Sequence, residues 1–238
     1  MKVYDPSIQS ALALLGKFPA RPLSLEKGYP LEKEKAFLFP EDVALDLGGR
    51  EFPSPYLIGY TSSSSLVPED AIYLIGEDLA GLHGQVPFAH VSFLRFEGQG
   101  DEKDQELYRL LRGIEYQRYR IFPYEAMVRV NTNRLRESIS LSRKALEKGI
   151  SFAALGTLFL DAFKKEKRVK AVVQYFITDP SFPFAELEGM ARKSEGVTVA
   201  LDSIMKKLSM DCSTCQFKGI CDEIEGMREA HQKAERKF

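Results

Sequence analysis

Residues 171–178 read Ala-Val-Val-Gln-Tyr-Phe-Ile-Thr, a near-continuous run of β-branched and aromatic residues. Such a run is typical of a strand that is buried on both faces, and it predicts a central strand. Before it, residues 151–165 are rich in Phe and Leu and predict a largely buried helix. After it, residues 184–208 predict a helix with a break near Gly196, because the following Val-Thr-Val is a poor helix former.

The segment before these elements predicts a strand and a further helix. Residues 124–130 predict a strand, and residues 133–148 predict an amphipathic helix closed by Gly149. The helices between residues 130 and 171 form a crossover that is long enough for parallel pairing. We therefore expect strands 124–130 and 171–178 to be neighbours in one sheet.

The first half of the chain predicts short strands between two helices. One helix is expected over residues 7–18, and a second from Asp101 to about Tyr119, where an acidic first turn precedes a leucine pattern. Between them, Gly, Pro and Ser separate apolar runs that predict strands at residues 37–39, 43–47, 56–60, 72–75 and 88–96. The fold class that follows is α+β, with a mixed sheet and with helices mainly from the second half.

The same patterns divide the chain into three segments. Residues 1–35 predict an amino-terminal helix and an extended arm, since residues 19–35 are polar and rich in Pro and Lys. Residues 36–209 predict the α+β domain. Residues 210–238 predict a cysteine-bearing loop followed by a charged helix.

Composition restricts the class of function. The 238 residues are 44% hydrophobic and carry a formal net charge of −1, so no basic excess is present to hold nucleic acid. No apolar run approaches the roughly 20 residues that cross a bilayer, and the amino terminus lacks the features of a signal peptide. An odd number of cysteines without a second pair predicts a reducing, cytoplasmic location.

All three cysteines lie within ten consecutive residues, as Cys212, Cys215 and Cys221. Thiolates at this C-x2-C-x5-C spacing converge on one point, which suits a zinc ion or an iron–sulfur cluster. A C-x2-C pair also suits thiol–disulfide exchange, and buried cysteines serve elsewhere as small inert hydrophobes. The sequence therefore predicts a metal site first, with these two alternatives left open.

A fourth ligand is not evident from the spacing. His231 follows Cys221 after nine residues, but on one helix it would lie about 15 Å away, too far for a shared ion. It is better interpreted as a solvated surface histidine. The remaining candidates are Asp211, His83, His90, a ligand from a partner, or an exogenous thiol or water.

Six segments of the chain occur in the order found in the acetyl-CoA synthase family, the β subunits of carbon monoxide dehydrogenase complexes. They read Val-Ala-Leu-Asp-Leu-Gly-Gly at 43–49, Ile-Tyr-Leu-Ile-Gly-Glu-Asp-Leu at 72–79, Pro-Phe-Ala-His-Val-Ser-Phe-Leu-Arg at 87–95, Met-Val-Arg-Val-Asn at 127–131, Phe-Ala-Ala-Leu-Gly-Thr-Leu-Phe-Leu at 152–160 and Val-Val-Gln-Tyr-Phe-Ile-Thr-Asp at 172–179. The chain resembles that family from about residue 42 to residue 192, and the cysteine cluster follows where the family's metal cluster begins.

The resemblance implies an iron–sulfur site without the complete nickel site. In the family, four cysteines hold a 4Fe–4S cubane bridged to two nickel atoms; Cys212 and Cys215 match the first pair, and Cys221 stands in place of the third. No later cysteine pair is present to chelate nickel. We therefore expect that the chain alone does not make acetyl-CoA.

The resemblance also implies contacts with coenzyme A and partner proteins, for which five arginines are the candidates. These arginines surround one predicted helix and the following strand, at Arg109, Arg112, Arg118, Arg120 and Arg129. They suit a pyrophosphate or an acidic protein face. The alternative is a solvated helix face paired with Glu106 and Glu115.

The expected function is that of an accessory module of acetyl-CoA synthesis or one-carbon metabolism. It would bind an iron–sulfur cluster, together with coenzyme A or subunits of a carbon monoxide dehydrogenase/acetyl-CoA synthase or related corrinoid system. The alternatives are a non-catalytic interaction module stabilised by zinc or a cluster, and a small redox protein using Cys212 and Cys215.

Overall fold

The strands of the protein form two sheets. The structure is a computed structural model that describes residues 2–49, 51–97, 104–130 and 135–205. The strands are β1 Arg21–Leu23, β2 Val43–Leu47, β3 Tyr56–Thr61, β4 Ala71–Ile75, β5 Gly84–Val86, β6 Ala89–Phe96, β7 Ala126–Val130, β8 Glu137–Ser142 and β9 Val169–Ile177. The helices are α1 Asp5–Leu15, α2 Asp104–Gln117, α3 Arg143–Glu147, α4 Phe152–Phe163 and α5 Phe184–Met205. The α+β class is confirmed.

The five-stranded sheet has the order β1-β4-β9-β6-β3, with β9 in the centre as its apolar run predicts. Strand β9 is parallel to β4 and antiparallel to β6. Helix α4 packs closely on one face, where a Cβ at Gly156 would lie 2.7 Å from Ile72 Cδ1. Helix α1 packs on the opposite face, where a Cβ at Gly59 would lie 2.8 Å from Ile8 Cγ1. Burial on both faces therefore explains the composition of β9.

The four-stranded sheet has the order β5-β2-β8-β7 and adjoins the first sheet. Backbone hydrogen bonds link the two at the start of β3, where Tyr56 N–H donates to Leu135 O over 2.8 Å. Beside this bond, Glu137 N–H donates to Ser54 O over 3.0 Å. The start of β8 is therefore fixed directly against the first sheet.

The predicted pairing of strands 124–130 and 171–178 is wrong, because β7 and β9 lie in different sheets. The neighbour of β7 is β8, which is antiparallel to it. Residues 137–142 fall within the helix predicted over 133–148, and of the described residues 135–148 only Arg143–Glu147 are helical. Ile139 and Leu141 are buried at a two-residue spacing among serines, and this period is that of a strand.

Two smaller expectations also differ from the structure. Helix α5 continues through Gly196 without a break, because Val197 and Ala200 are buried and their packing outweighs their local helix propensity. Residues 37–39 form no strand, and Phe37 and Phe39 are exposed. These aromatics belong instead to the arm, residues 24–39, which precedes β2.

Candidate functional site

The predicted metal ligands Cys212, Cys215 and Cys221 lie outside the described residues, as do Asp211 and His231. Within residues 2–49, 51–97, 104–130 and 135–205, no three His, Cys, Asp or Glu side chains form a group able to hold a metal ion. The cysteine cluster therefore stays a prediction from the sequence.

His90, a candidate fourth ligand, belongs to a buried charge network with Arg118 and Glu137. Its Nδ1 is 2.7 Å from Glu137 Oε1, and Arg118 Nη1 is 3.1 Å from Glu137 Oε2. The other ring nitrogen, Nε2, is 3.2 Å from both Gln174 Oε1 and Ser92 Oγ. Both nitrogens of His90 face protein partners and the side chain is fully buried, so in this conformation it is not available to a metal. The third candidate, His83, is exposed.

Arg118 is held by aromatic rings as well as by its carboxylate. Its guanidinium carbon lies 3.1 Å from the ring centroid of Tyr56 and 4.5 Å from that of Tyr119, and Nη2 donates to the Tyr119 hydroxyl. Burial raises the pKa of Glu137, but the neighbouring Arg118 and His90 outweigh it and hold that pKa below its ordinary value. This network joins the two sheets and offers no surface to a ligand.

Arg112 is likewise engaged inside the protein. Its Nη1 donates to Glu115 over 2.8 Å, and its Nη2 donates to Glu195 over 2.7 Å. The second bond links α2 to α5, and Arg112 is only 8% exposed. The expected ligand-binding face around Arg112 and Arg118 is therefore not present: both side chains serve internal ion pairs.

The other three predicted arginines lie at separate places. Arg109 is exposed on α2 beside Lys165, and Arg120 is exposed in the short 3-10 turn that follows this helix. Arg129 on β7 reaches a polar cleft on the four-stranded sheet, and its side chain is 41% exposed. The structure thus does not bring the five arginines together.

The polar cleft has a volume of about 540 Å³ and lies between β2, β5, β7 and β8. Its polar lining comes from residues that are far apart in the sequence, including Asp46, Ser54, Arg129, Arg136, Ser138 and Ser140. Pockets of roughly 300–1,000 Å³ with a few convergent polar groups are typical of small-molecule sites. The cleft is therefore the candidate binding site.

Two arginines of the cleft differ in their partners. Arg129 Nη2 donates to Asp46 Oδ1 over 3.0 Å, and Ser140 Oγ donates to the same oxygen over 2.6 Å. Arg136 Nε donates to Ser54 Oγ over 3.0 Å, and its Nη2 donates to the carbonyl of Phe52 over 2.7 Å. Asp46 thus balances the charge of Arg129, whereas the partners of Arg136 in the described part of the chain are neutral oxygens.

Glycines shape the floor of the cleft. Gly48 has φ +67°, and a Cβ there would lie 2.3 Å from Ser54 Cβ. A Cβ at Gly49 would lie 2.5 Å from Asp46 Oδ2. Gly48 is therefore required at this bend, because its positive φ and the contact with Ser54 both disfavour a side chain, whereas the absent side chain of Gly49 leaves room for the Asp46 carboxylate.

Sequence reasoning did not select Arg136, because it lay within the predicted helix 133–148. The alternation of Ser138, Ile139, Ser140 and Leu141 was the available signal, since it places alternate residues on opposite faces of a strand. Ser138 and Ser140 then line the cleft, while Ile139 and Leu141 belong to the hydrophobic core.

Comparison with models of known protein families gave no match, and neither did a search of curated proteins. No helix in the described part of the chain is long and apolar enough to cross a membrane. The resemblance to the acetyl-CoA synthase family accordingly rests on the sequence segments alone.

Proposed function

We propose that this protein is a binding module related to the acetyl-CoA synthase β subunits, and that its polar cleft binds the phosphate groups of coenzyme A. The observation that carries the proposal is Arg136, a half-buried cation in a cleft of about 540 Å³. Its partners among the described residues are the neutral oxygens of Ser54, Phe52 and Gly49. A phosphate oxygen would supply the negative charge that these groups do not.

The chemistry of the remaining lining supports a phosphate ligand. Arg129 offers a second guanidinium, whose planar fork matches phosphate geometry, and Ser138 is a half-exposed hydroxyl donor at the same cleft. Two of the segments that resemble the family, residues 43–49 and 127–131, contribute Asp46 and Arg129. Residues separated by more than 80 positions in the sequence thus meet at one site.

The carboxy-terminal cysteines belong to the same proposal. Cys212, Cys215 and Cys221 would hold an iron–sulfur cluster of the 4Fe–4S kind, or zinc, with a fourth ligand supplied from elsewhere. The partners would be subunits of a carbon monoxide dehydrogenase/acetyl-CoA synthase or related corrinoid system in the cytoplasm. Acetyl transfer would need a nickel site that another chain supplies.

Calorimetric titration tests the cleft. Coenzyme A is expected to bind, dephospho-coenzyme A more weakly, and pantetheine, which carries no phosphate, not measurably. Arg136→Lys keeps the charge but loses the planar fork, and it should weaken coenzyme A binding about tenfold. The matched control is Arg192→Lys on the exposed face of α5, which should bind like the wild type. Equal binding of pantetheine and coenzyme A would exclude the phosphate site.

Anaerobic purification with metal analysis tests the cysteine cluster. Iron with acid-labile sulfide, lost in Cys212→Ser and Cys215→Ser, supports the proposal. Zinc instead indicates a metal-stabilised interaction module, and a metal-free protein whose disulfide cycles readily indicates a redox protein. An assay of carbonyl exchange under anoxia, with added iron and nickel, should give only the metal background for this chain.

A further inference from the structure

The arm, residues 24–39, encloses a second and larger groove. The arm is anchored where Glu32 N–H donates to Phe122 O over 2.7 Å and where Tyr124 N–H donates to Pro30 O over 2.9 Å. At the other end of the arm, Leu38 is buried, with 9% of its surface exposed. Between these anchors and the start of β2 lies a groove of about 980 Å³, the arm groove.

Large apolar side chains stand exposed along the arm groove. Phe37 is 75% exposed, and Phe39 and Leu31 are each 55% exposed. The two phenylalanine rings contact each other edge to face, with centroids 5.3 Å apart. A soluble protein rarely leaves such a cluster in water, and paired aromatics beside a concave surface are typical of protein-binding sites.

The charges at the groove indicate the chemistry of its occupant. Glu125 is paired with Lys144, whose Nζ lies 3.6 Å from Oε1. The rest of the lining carries more negative than positive charge. Its exposed carboxylates are Glu32, Glu34, Glu41 and Asp42, and its exposed cations are Lys33 and Arg143. This excess of negative charge disfavours nucleic acid and anionic lipid, and it favours a cationic protein segment.

We propose that the arm groove docks an amphipathic helix of a partner protein, with an apolar stripe flanked by Lys or Arg. A helix matches the groove better than an added strand does. Strand β2 pairs with β5 through Leu45–Leu47 and with β8 on its other side, so only Val43 and Ala44 have a free edge. The apolar stripe would cover Phe37 and Phe39, and its basic flanks would meet the carboxylates.

Fluorescence anisotropy with synthetic peptides tests the proposal. The probe is a labelled amphipathic peptide of about 18 residues built from Leu and Lys at helical spacing, and its counterpart has Glu in place of Lys. The Lys peptide should bind at least tenfold more tightly than the Glu peptide. The double variant Phe37→Ala/Phe39→Ala, which has the same charge, should bind the Lys peptide at least tenfold more weakly.

The control for the aromatic contact is Leu25→Ala. Leu25 is 48% exposed on the same arm but does not line the groove, so this variant should bind like the wild type. Replacing Glu32 and Glu34 by Gln should reduce affinity about threefold at low ionic strength, with the difference lost at high salt. Because all these side chains are exposed, thermal unfolding should be unchanged.

Three results would overturn the proposal. They are equal binding of the two peptides, unchanged affinity in Phe37→Ala/Phe39→Ala, and a wild-type dimer that this double variant abolishes in sedimentation experiments. The last result would assign the groove to a second copy of the chain.

The groove adjoins the polar cleft through Leu38, Val43 and Ala44. Its test uses no coenzyme A, so the two proposals stand or fall separately.

Discussion

The buried charge network and the polar cleft each pair an arginine with a carboxylate at nearly the same distance. Arg118 Nη1 and Glu137 Oε2 are 3.1 Å apart, and Arg129 Nη2 and Asp46 Oδ1 are 3.0 Å apart. The first pair is 0% exposed at both side chains, whereas the second is 41% exposed at Arg129 and 15% at Asp46. Solvent access, rather than distance, therefore separates a structural ion pair from one that can respond to a ligand.

The physical basis is the cost of leaving a charge without its partner. In the interior, a charge that loses its partner costs about 3–5 kcal/mol, since water cannot replace the lost interaction. At a half-exposed site, water solvates the remaining charge, and the loss is about 0–1 kcal/mol. The network should therefore matter for stability, and the cleft for binding.

The largest effect is expected for Glu137→Gln, which leaves Arg118 buried without a carboxylate. The free energy of unfolding in urea should fall by about 3–5 kcal/mol. Glu188→Gln, at the exposed i,i+4 pair with Arg192, is the matched control and should change it by less than about 0.5 kcal/mol. Similar small losses in both variants would remove the distinction between the two regions.

If Glu137→Gln does not accumulate as folded protein, a second variant keeps the test open. Combining it with Arg118→Met removes both charges from the interior, and it should recover most of the lost stability. A double variant as unstable as the single one would show that aromatic packing around Arg118, and not charge, stabilises this region.

The next largest effect is expected at Gly48, where backbone shape rather than charge maintains the cleft. Gly48→Ala places a Cβ at positive φ and 2.3 Å from Ser54 Cβ, so it should cost about 2–4 kcal/mol. Gly84 has the same φ of +67° with nothing within 4 Å, and Gly84→Ala should cost only about 1–2 kcal/mol. Equal losses on urea unfolding would show that the contact with Ser54 is unimportant.

Acid should weaken the network selectively. The pKa of Glu137 lies below its ordinary value of 4.5 in the folded state, so the unfolded chain takes up a proton first as the pH falls. The stability contributed by the ionised carboxylate is present above about pH 4.5 and is lost below it, as the pH falls through the folded pKa. The unfolding free energy of the wild type should therefore decrease more steeply in this range than that of Glu137→Gln.

The smallest effect on stability is expected for Asp46→Asn in the cleft. Loss of the half-exposed pair with Arg129 should change the free energy of unfolding by less than about 1 kcal/mol. The same change removes the only carboxylate of the cleft's described lining, so the affinity for coenzyme A should rise a few-fold in calorimetry. A large loss of stability would place this pair with the buried network.

The local sequence pattern was sufficient to predict the elements whose residues are mostly buried. Strand β9 and helix α4 are mostly buried and mostly apolar, with Gln174 and Thr157 as buried polar exceptions, and both were predicted close to their observed bounds. Strand β8 was missed because residues 133–148 also fit a helical period. Strand β8 pairs with β2 and β7, and these tertiary contacts favour the strand over the helix.

The site was less predictable than the fold. A group of arginines in the sequence does not reveal which of them will be buried. Arg112 and Arg118 were predicted to form a ligand-binding surface, but both are buried. Arg136 was not considered, although it lines the polar cleft. Each outcome depends on partners from distant segments, such as Glu195 for Arg112 and Glu137 for Arg118.

The α+β class, the central position of β9 and the spacing of the three cysteines could be predicted from sequence, because they follow from neighbouring residues. Tertiary contacts, by contrast, bring His90, Arg118 and Glu137 together inside the protein and place Arg129 and Arg136 at a cleft. The reason is that burial and charge pairing are set by distances between residues far apart in the chain. The local periodicity of the sequence gives no information about those distances.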